Sequence, residues 1–320
     1  MKEPRVIIAN LNDYPRNNLL YGGRAGQKYG ITINGEAWIV KFPRTTRDLA
    51  GKRLPSYTSS PVSEYLGAHI YQSLGIPAHE TFLGYRDGKI VCACKDFAYP
   101  GKLLQTFQDI KNTMSDDEQG FDSVPSDGST TMLGDVLSVI DLAPALKGVT
   151  GVKERFWDMF VVDAFIKNPD RNNGNWGLLL DLSTMQTQLA PVYDLGSSLF
   201  AKRSDSLAIE RSEHKAAVEQ DAFGTNVSCY RLMGEDGKSF AIHPFEYMAK
   251  LANPDLNAAI MRFCNNIDVD KVDALIDEIP EEAYGRIVLS NGVKQTHKKL
   301  LHTRLEEGFM PLYRKLRGNS

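Results

Sequence analysis

The chain has little of what marks exported, membrane-spanning or metal-scaffolded proteins. Its four cysteines, Cys92, Cys94, Cys229 and Cys264, form no disulfide framework, and Cys92-x-Cys94 is too tight for a zinc knuckle. Alternation through Val91-Cys92-Ala93-Cys94 reads instead as a strand that turns both thiols to one face. The six histidines (His69, His79, His214, His243, His297 and His302) are scattered, with no H-x3-H pair to hold a metal. No apolar run approaches bilayer-spanning length, and the stretch from Met1 to Asn12 lacks the core of a signal peptide. A formal net charge of −3 provides no general field for nucleic acid or anionic lipid. Lys298-Lys299 with Arg304 is a local basic group, and a solvated helix face accounts for it. The expectation is a cytoplasmic protein with free, buried thiols that engages neither membrane nor nucleic acid directly. Export by a route that leaves no N-terminal signal stays open.

What is present is enough for two lobes: 320 residues of ordinary globular composition. Gly30-Ile31-Thr32-Ile33, Asn34-Gly35 and the run from Glu36 to Phe42 spell a hairpin with a type I′ turn. A second hairpin runs from Glu80 through Asp87-Gly88 to Phe97. Between them, Tyr65, Leu66, Ile70 and Leu74 recur at helical spacing, and Gly75 with Pro77 stops that helix. Tyr99-Pro100-Gly101 breaks the pattern and is the candidate hinge. Beyond it the chain reads as mostly helical, with an intensely apolar helix from Val152 to Lys167 that Pro169 ends. Two strands follow, from Trp176 to Leu182 and from Gln186 to Val192. The stretch from Ala201 to Lys238 reads as long, polar and irregular. The division expected is 1–98, a small sheet with one helix, and 99–320, a larger helical part.

Chemistry concentrates in Asn168-Pro169-Asp170-Arg171-Asn172-Asn173-Gly174-Asn175-Trp176-Gly177 and, further on, Pro191-Val192-Tyr193-Asp194-Leu195-Gly196. Loops rich in Gly, Asn and Pro hold polar side chains at fixed angles. Two carboxylates and a carboxamide in this order suit the orienting of a hydroxyl and the holding of Mg²⁺ against ATP phosphates. Read singly, each Asx residue equally suits a turn hydrogen bond. Lys41 interrupts the apolar strand Trp38-Ile39-Val40-Lys41-Phe42, which is costly unless the ammonium is paired or reaches water. Gly22-Gly23-Arg24-Ala25-Gly26-Gln27-Lys28 precedes the first strong strand and lets backbone N–H groups approach an anion. It is not a Walker A loop, since no Ser or Thr follows Lys28.

On the Asp170–Gly177 and Asp194 loops the chain resembles the HipA-like serine/threonine kinases, in their short form. The resemblance implies a two-lobed, protein-kinase-like α+β fold with ATP and Mg²⁺ between the lobes and a protein hydroxyl as acceptor. It makes Asp170 the base-like residue, Asn175 and Asp194 metal ligands, and Lys41 with Glu64 the strand-lysine and helix-glutamate pair. Gly22, Gly23, Gly26 and Lys28 would cradle phosphates. Backbone groups near Lys95 and Phe97 would meet the adenine edge. Kinase-fold enzymes acting on lipid or small-molecule hydroxyls, and an ATP-binding pseudokinase, are the alternatives. Two departures stand out. Asn172 replaces the family's usual His, so that position cannot shuttle a proton. The stretch from Asn17 to Lys28 carries no Ser or Thr, unlike family members silenced by autophosphorylation there. Full-length HipA kinases also carry an N-terminal subdomain before the glycine-rich loop. The expectation here is that this subdomain is absent or supplied by another polypeptide, with a separate antitoxin or subdomain-like partner as the candidate.

Overall fold

The computed structural model describes residues 6–22, 27–45, 58–114 and 131–318. Gly23 and Gly26 of the glycine-rich stretch lie outside these residues. The chain groups into two compact units: Met1–Phe97, Asp194–Ala222 and Ile267–Leu305 form the first, and Ala98–Tyr193, Phe223–Asn266 and Glu306–Ser320 the second. One division thus falls between Phe97 and Ala98, and two later stretches rejoin the first unit.

The first unit opens with β1 (Ala9–Asn10), β2 (Lys28–Ile33), β3 (Glu36–Lys41), α1 (Ser60–Ser73), β4 (Thr81–Arg86) and β5 (Lys89–Lys95). The strands lie in the order β1-β4-β5-β3-β2, with β1 parallel to β4 and every other pairing antiparallel. Asn34 and Gly35 both take positive φ, 51° and 83°, the backbone that a type I′ turn demands. Pairing Val40 with Ala93 and Ile31 with Trp38 gathers these residues, with Leu11, Phe42 and Val91, into one apolar cluster. The two-residue period then turns Lys41, Cys92 and Cys94 to the opposite face. The two sulfurs lie 3.9 Å apart, both buried, as the alternation requires. On that face packs α1, which starts at Ser60, five residues before the apolar spacing begins at Tyr65, because Pro61 suits its first turn. Leu66 and Ile70 are fully buried, each contributing about 1.5–3 kcal/mol. That burial fixes the rotation of α1, and hence where Glu64 is presented.

The second unit begins with β6 (Lys102–Thr106), α2 (Phe107–Asn112), α3 (Leu133–Leu142), α4 (Val152–Ile166), β7 (Gly177–Asp181) and β8 (Thr187–Leu189). The strands β6, β7 and β8 form an antiparallel sheet. Helix α4 is buried nearly throughout and packs Phe156 and Trp157 edge to face. It ends at Lys167, whose φ of 53° is left-handed, and Pro169 prevents its resumption.

The stretch expected to be irregular contains α5 (Asp205–Ser212) and α6 (Lys215–Glu219), which return to the first unit. Ser204 caps α5 by accepting from the Leu207 N–H, and buried Asp221 pairs with both Arg203 and Arg211. Ion pairs remote in sequence, rather than apolar periodicity, order this segment. Then come β9 (Arg231–Met233), β10 (Ser239–Ala241), α7 (Pro244–Ala249) and α8 (Pro254–Asn266), with α8 packed along α4. In the first unit follow α9 (Val269–Asp277), β11 (Glu282–Ala283), β12 (Arg286–Ile287) and α10 (Asn291–Thr303); α11 (Met310–Gly318) belongs to the second. Among the described residues, no helix is long and apolar enough to cross a membrane.

Candidate active site

Lys41, Glu64 and Asp194 converge in the first unit. The Lys41 ammonium lies 2.9 Å from Glu64 Oε1 and 3.1 Å from Asp194 Oδ1. Glu64 is only 2% exposed. Burial alone would raise its carboxyl, but Lys41 and then His79 reverse that and hold it below the usual carboxylate range. Burial likewise works against the Lys41 charge, and Glu64 followed by Asp194 overcomes it, lifting the ammonium well above its ordinary value. Both groups are therefore charged at neutral pH. The lone ammonium within an apolar strand has found its partners, which is the condition its burial imposes.

Glu64 is held from three further directions. The Leu195 N–H donates to its Oε1 at 3.0 Å, and His79 Nε2 lies 3.2 Å from the same oxygen. Gly196 passes so close that an added Cβ would stand 2.9 Å from Glu64 Oε2, so only glycine fits there. Asp194 itself takes a left-handed φ of 59°, a strained setting for a non-glycine residue. Glu64, His79 and buried Cys94 also bring metal-ligand atoms within 4.8 Å of one another. The Lys41 ammonium and the Leu195 N–H already satisfy that carboxylate, so the cluster has its cation built in.

Lys28 stands opposite Lys41 in the β2–β3 register. Burial lowers its pKa and the facing Lys41 adds to the shift, with Asp194 and Glu64 opposing. Two crowded ammoniums are a fit for a polyanion, which would relieve their repulsion. Gly22 lies just ahead, before the undescribed residues of its loop. Tyr21 Oη donates to Asp96 Oδ2 at 2.9 Å and so ties that approach to the end of β5. The Lys95 N–H is taken by the Glu80 carbonyl at 2.9 Å and the Asp96 N–H by that of Ala37. The Lys95 side chain reaches Glu36 at 2.8 Å. Phe97 follows, half-buried, at the end of this unit's first stretch.

Asp170, Asn172 and Asn175 converge in the second unit. Asn175 Nδ2 donates to the Asp170 carbonyl at 2.6 Å. Asn172 Nδ2 donates to Asp170 Oδ1 at 3.0 Å, while its own Oδ1 accepts the Gly174 N–H at 2.9 Å. Asn172 therefore braces the loop and orients the Asp170 carboxylate, work that a proton shuttle is not needed for. With its NH₂ spent on backbone, Asn175 has its amide oxygen as the atom to offer a hard cation. The donor set of carboxylates and a carboxamide is one that Mg²⁺ accepts.

Sequence reasoning passed over the pair that holds this loop. Arg171, 2% exposed, donates through Nε to Asp163 Oδ2 at 2.8 Å and through Nη1 to the carbonyls of Asn175 (2.7 Å) and Tyr193 (2.6 Å). Asn168 Nδ2 adds a bond to Asp163 Oδ1 at 3.1 Å. The available signal was Asp163 itself, one of two aspartates inside the apolar α4, since a buried charge demands a partner. Stacking of Phe107 on Trp176, with ring centroids 4.2 Å apart, and the Gln108 N–H to the Asn173 carbonyl close the other side of the loop.

Three comparisons bear on this geometry. The model of the HipA-like C-terminal domain family matches residues 20–270. The serine/threonine-protein kinase CtkA of Helicobacter pylori strain J99 is 33% identical over 288 residues, covering 90% of this chain and 80% of CtkA. The crystal structure of a Helicobacter pylori proinflammatory kinase CtkA matches with a TM-score of 0.84 at 28% identity, covering 98% of this chain and 99% of that one.

Proposed function

We propose a division of labour for a chain that belongs to the HipA-like C-terminal domain family and is, with that family, a serine/threonine protein kinase. Its acceptor is a protein hydroxyl and its phosphoryl donor is ATP. Residues 1–98 carry the nucleotide-anchoring groups and 99–320 the hydroxyl-handling loop. Lys41, held by Glu64, takes the ATP phosphates, with Lys28 and the glycines at 22, 23 and 26 completing their cradle. The chain at Lys95 and Phe97 meets the adenine through backbone groups. Asp194 and Asn175 hold Mg²⁺, which when bound neutralises phosphate charge. Asp170 aligns the substrate hydroxyl and accepts its proton, its carboxylate aimed by Asn172. The cytoplasm, where ATP is plentiful and the four free thiols stay reduced, suits this work.

The convergence of Lys41, Glu64 and Asp194 carries this reading: an ammonium paired on one side and resting against a partly exposed carboxylate on the other. Such an ammonium is pre-set to exchange its Asp194 contact for phosphate oxygens. The test incubates the purified chain with γ-labelled ATP, Mg²⁺ and a cell lysate, beside a Lys41→Met control. Labelled phosphoserine or phosphothreonine that requires Lys41 is the expected result. A parallel thermal-shift series should show Mg²⁺-dependent stabilisation by ATP, about 2.7 kcal/mol at a hundredfold excess over Kd. No response to ATP at any Mg²⁺ concentration would remove the kinase reading.

A further inference from the structure

On the sheet face that carries Lys28 and Lys41, the approach to the glycine-rich stretch folds back over β2. The Asn17 N–H donates to the Gly30 carbonyl at 2.9 Å, and Asn17 Nδ2 donates to that of Ile31 at 3.1 Å. The Asn17 amide oxygen accepts the Leu19 N–H at 3.1 Å, which turns the chain back toward the strands. Tyr21 then lies against Gly30: a Cβ added there would stand 2.8 Å from Tyr21 Cε2 and would also collide with Asn17 Oδ1. A bare strand position is therefore the seat of the ring. At its far end, Tyr21 Oη donates to Asp96 Oδ2 at 2.9 Å, and the Asp96 N–H donates to the Ala37 carbonyl at 2.9 Å. The side chain thus reaches from β2 toward the residue that follows β5.

The strand register fixes what lies beside it. Lys28 pairs with Lys41, and two residues along the same face Gly30 pairs with Ile39, about 7 Å further on. A nucleotide whose phosphates meet the two ammoniums has its base one ribose further on, and Gly30, Ile39 and Ala37 are the next positions on that face. These positions offer no charge: Gly30 has no side chain, Ile39 is half-buried and Ala37 buried. Tyr21 is half-buried, so it meets both the strands and solvent. A ring tied down at its hydroxyl has lost its freedom before a ligand arrives, which lowers the cost of stacking on it. Such a ring suits a flat, uncharged π-system.

We propose that Tyr21 is the stacking platform for the base of ATP, seated on Gly30 and anchored through its hydroxyl to Asp96. This role rests on the kinase reading above and gives the base a side-chain partner besides the backbone at Lys95 and Phe97. Stacking uses the face of a base and not its edge, so GTP would stack here as well, and preference for adenine falls to the backbone groups.

Calorimetry of the full chain with Mg²⁺ and ATP, adenosine or inorganic tripolyphosphate tests the role. Tyr21→Ala should raise the Kd of ATP and of adenosine about 5- to 150-fold, the range that alanine substitution gives for base stacking, and leave that of tripolyphosphate within about twofold. Tyr21→Phe, which keeps the ring, should stay within about threefold of the unaltered chain for ATP. ATP binding by Tyr21→Ala within about twofold of the unaltered chain overturns the role and leaves the kinase reading standing. Equal weakening of ATP and tripolyphosphate does the same, because Tyr21 would then support the phosphate loop. Tighter ATP binding also overturns it, since the ring would be an obstruction. A Tyr21→Phe variant as weak as Tyr21→Ala places the effect in the Asp96 bond and likewise overturns stacking. Should circular dichroism show Tyr21→Ala unfolded, nuclear Overhauser contacts between the adenine protons and the Tyr21 ring, assigned with Tyr21→Phe, decide. Their absence at saturating ATP overturns the role. An unaltered chain that binds neither ATP nor adenosine overturns the kinase reading, and this role with it.

Discussion

Asp163 and Arg171 form a buried pair on which the Asp170–Asn175 loop depends, and a double-mutant cycle measures that dependence. Removing one partner from such a pair leaves an uncompensated charge and costs about 3–5 kcal/mol. Asp163→Asn keeps a neutral acceptor for Arg171, so its cost belongs at the lower end, about 3 kcal/mol. Arg171→Met removes the cation beside the Asp163 carboxylate and also the donor to the carbonyls of Asn175 and Tyr193. Its cost belongs at the upper end, about 5 kcal/mol. Simple addition would give about 8 kcal/mol for the double variant, but no buried charge remains in it, so the cycle should return a coupling of about 2–3 kcal/mol. Urea unfolding followed by tryptophan fluorescence reads this directly, because Trp176 stacks on Phe107 within the same unit. Phosphoryl transfer by Arg171→Met should also fall at temperatures where it remains folded. A loss below about 1 kcal/mol for Arg171→Met, or strict additivity in the cycle, would refute the argument, since either means the pair is solvated.

The remaining expectations concern the site itself. Asp170→Asn should retain ATP affinity while kcat drops about 10²- to 10⁴-fold, the usual worth of general-base assistance; equal loss of ATP binding in calorimetry would remove the separate role. Asp194→Asn, by contrast, should weaken Mg²⁺-dependent nucleotide binding along with turnover, measured as the shift of ATP Kd with and without the metal. Asn172→Ala releases both the Asp170 carboxylate and the Gly174 N–H, so kcat should fall by up to about 10²-fold with ATP Kd unchanged, while an intact rate would show that Asp170 needs no brace. Burial, and then the facing Lys41, lower the pKa of Lys28 in the folded chain, so its ammonium gives up its proton at a lower pH than a free lysine, and bound triphosphate would oppose that loss. On the alkaline side, ATP binding should therefore take up protons, seen by calorimetry in buffers of different ionisation enthalpy, and Lys28→Met should abolish the uptake.

How much of this was legible beforehand follows from the range of each interaction. The hairpins at Asn34-Gly35 and Asp87-Gly88 are dictated by the residues in the turn, and positive φ at all four confirms the local rule. The end of α4 near Pro169 is equally local. Lys41 in its apolar strand announced a need for a partner, and the family resemblance named Glu64 as that partner, 2.9 Å away. His79, by contrast, sits in a short connection with no periodicity, and nothing around it in sequence tells that it stands against Glu64. The Arg203–Asp221–Arg211 pairs were hidden for the same reason, and the segment they order read as irregular. Asp163 is the instructive case. Its neighbours Phe160, Val161, Val162, Phe165 and Ile166 made the helix plain, and apolar periodicity absorbed the aspartate as an exception. The cost of burying a carboxylate makes such an exception a signal, because only a cation or several hydrogen bonds can keep it there. The same logic finds Arg171, which in sequence was overshadowed by Asp170 beside it. A charge inside an apolar run is thus a place where a sequence points beyond its own neighbourhood: Lys41 leads to Glu64, Asp163 to Arg171, and Asp158, five residues earlier in α4, to Arg262.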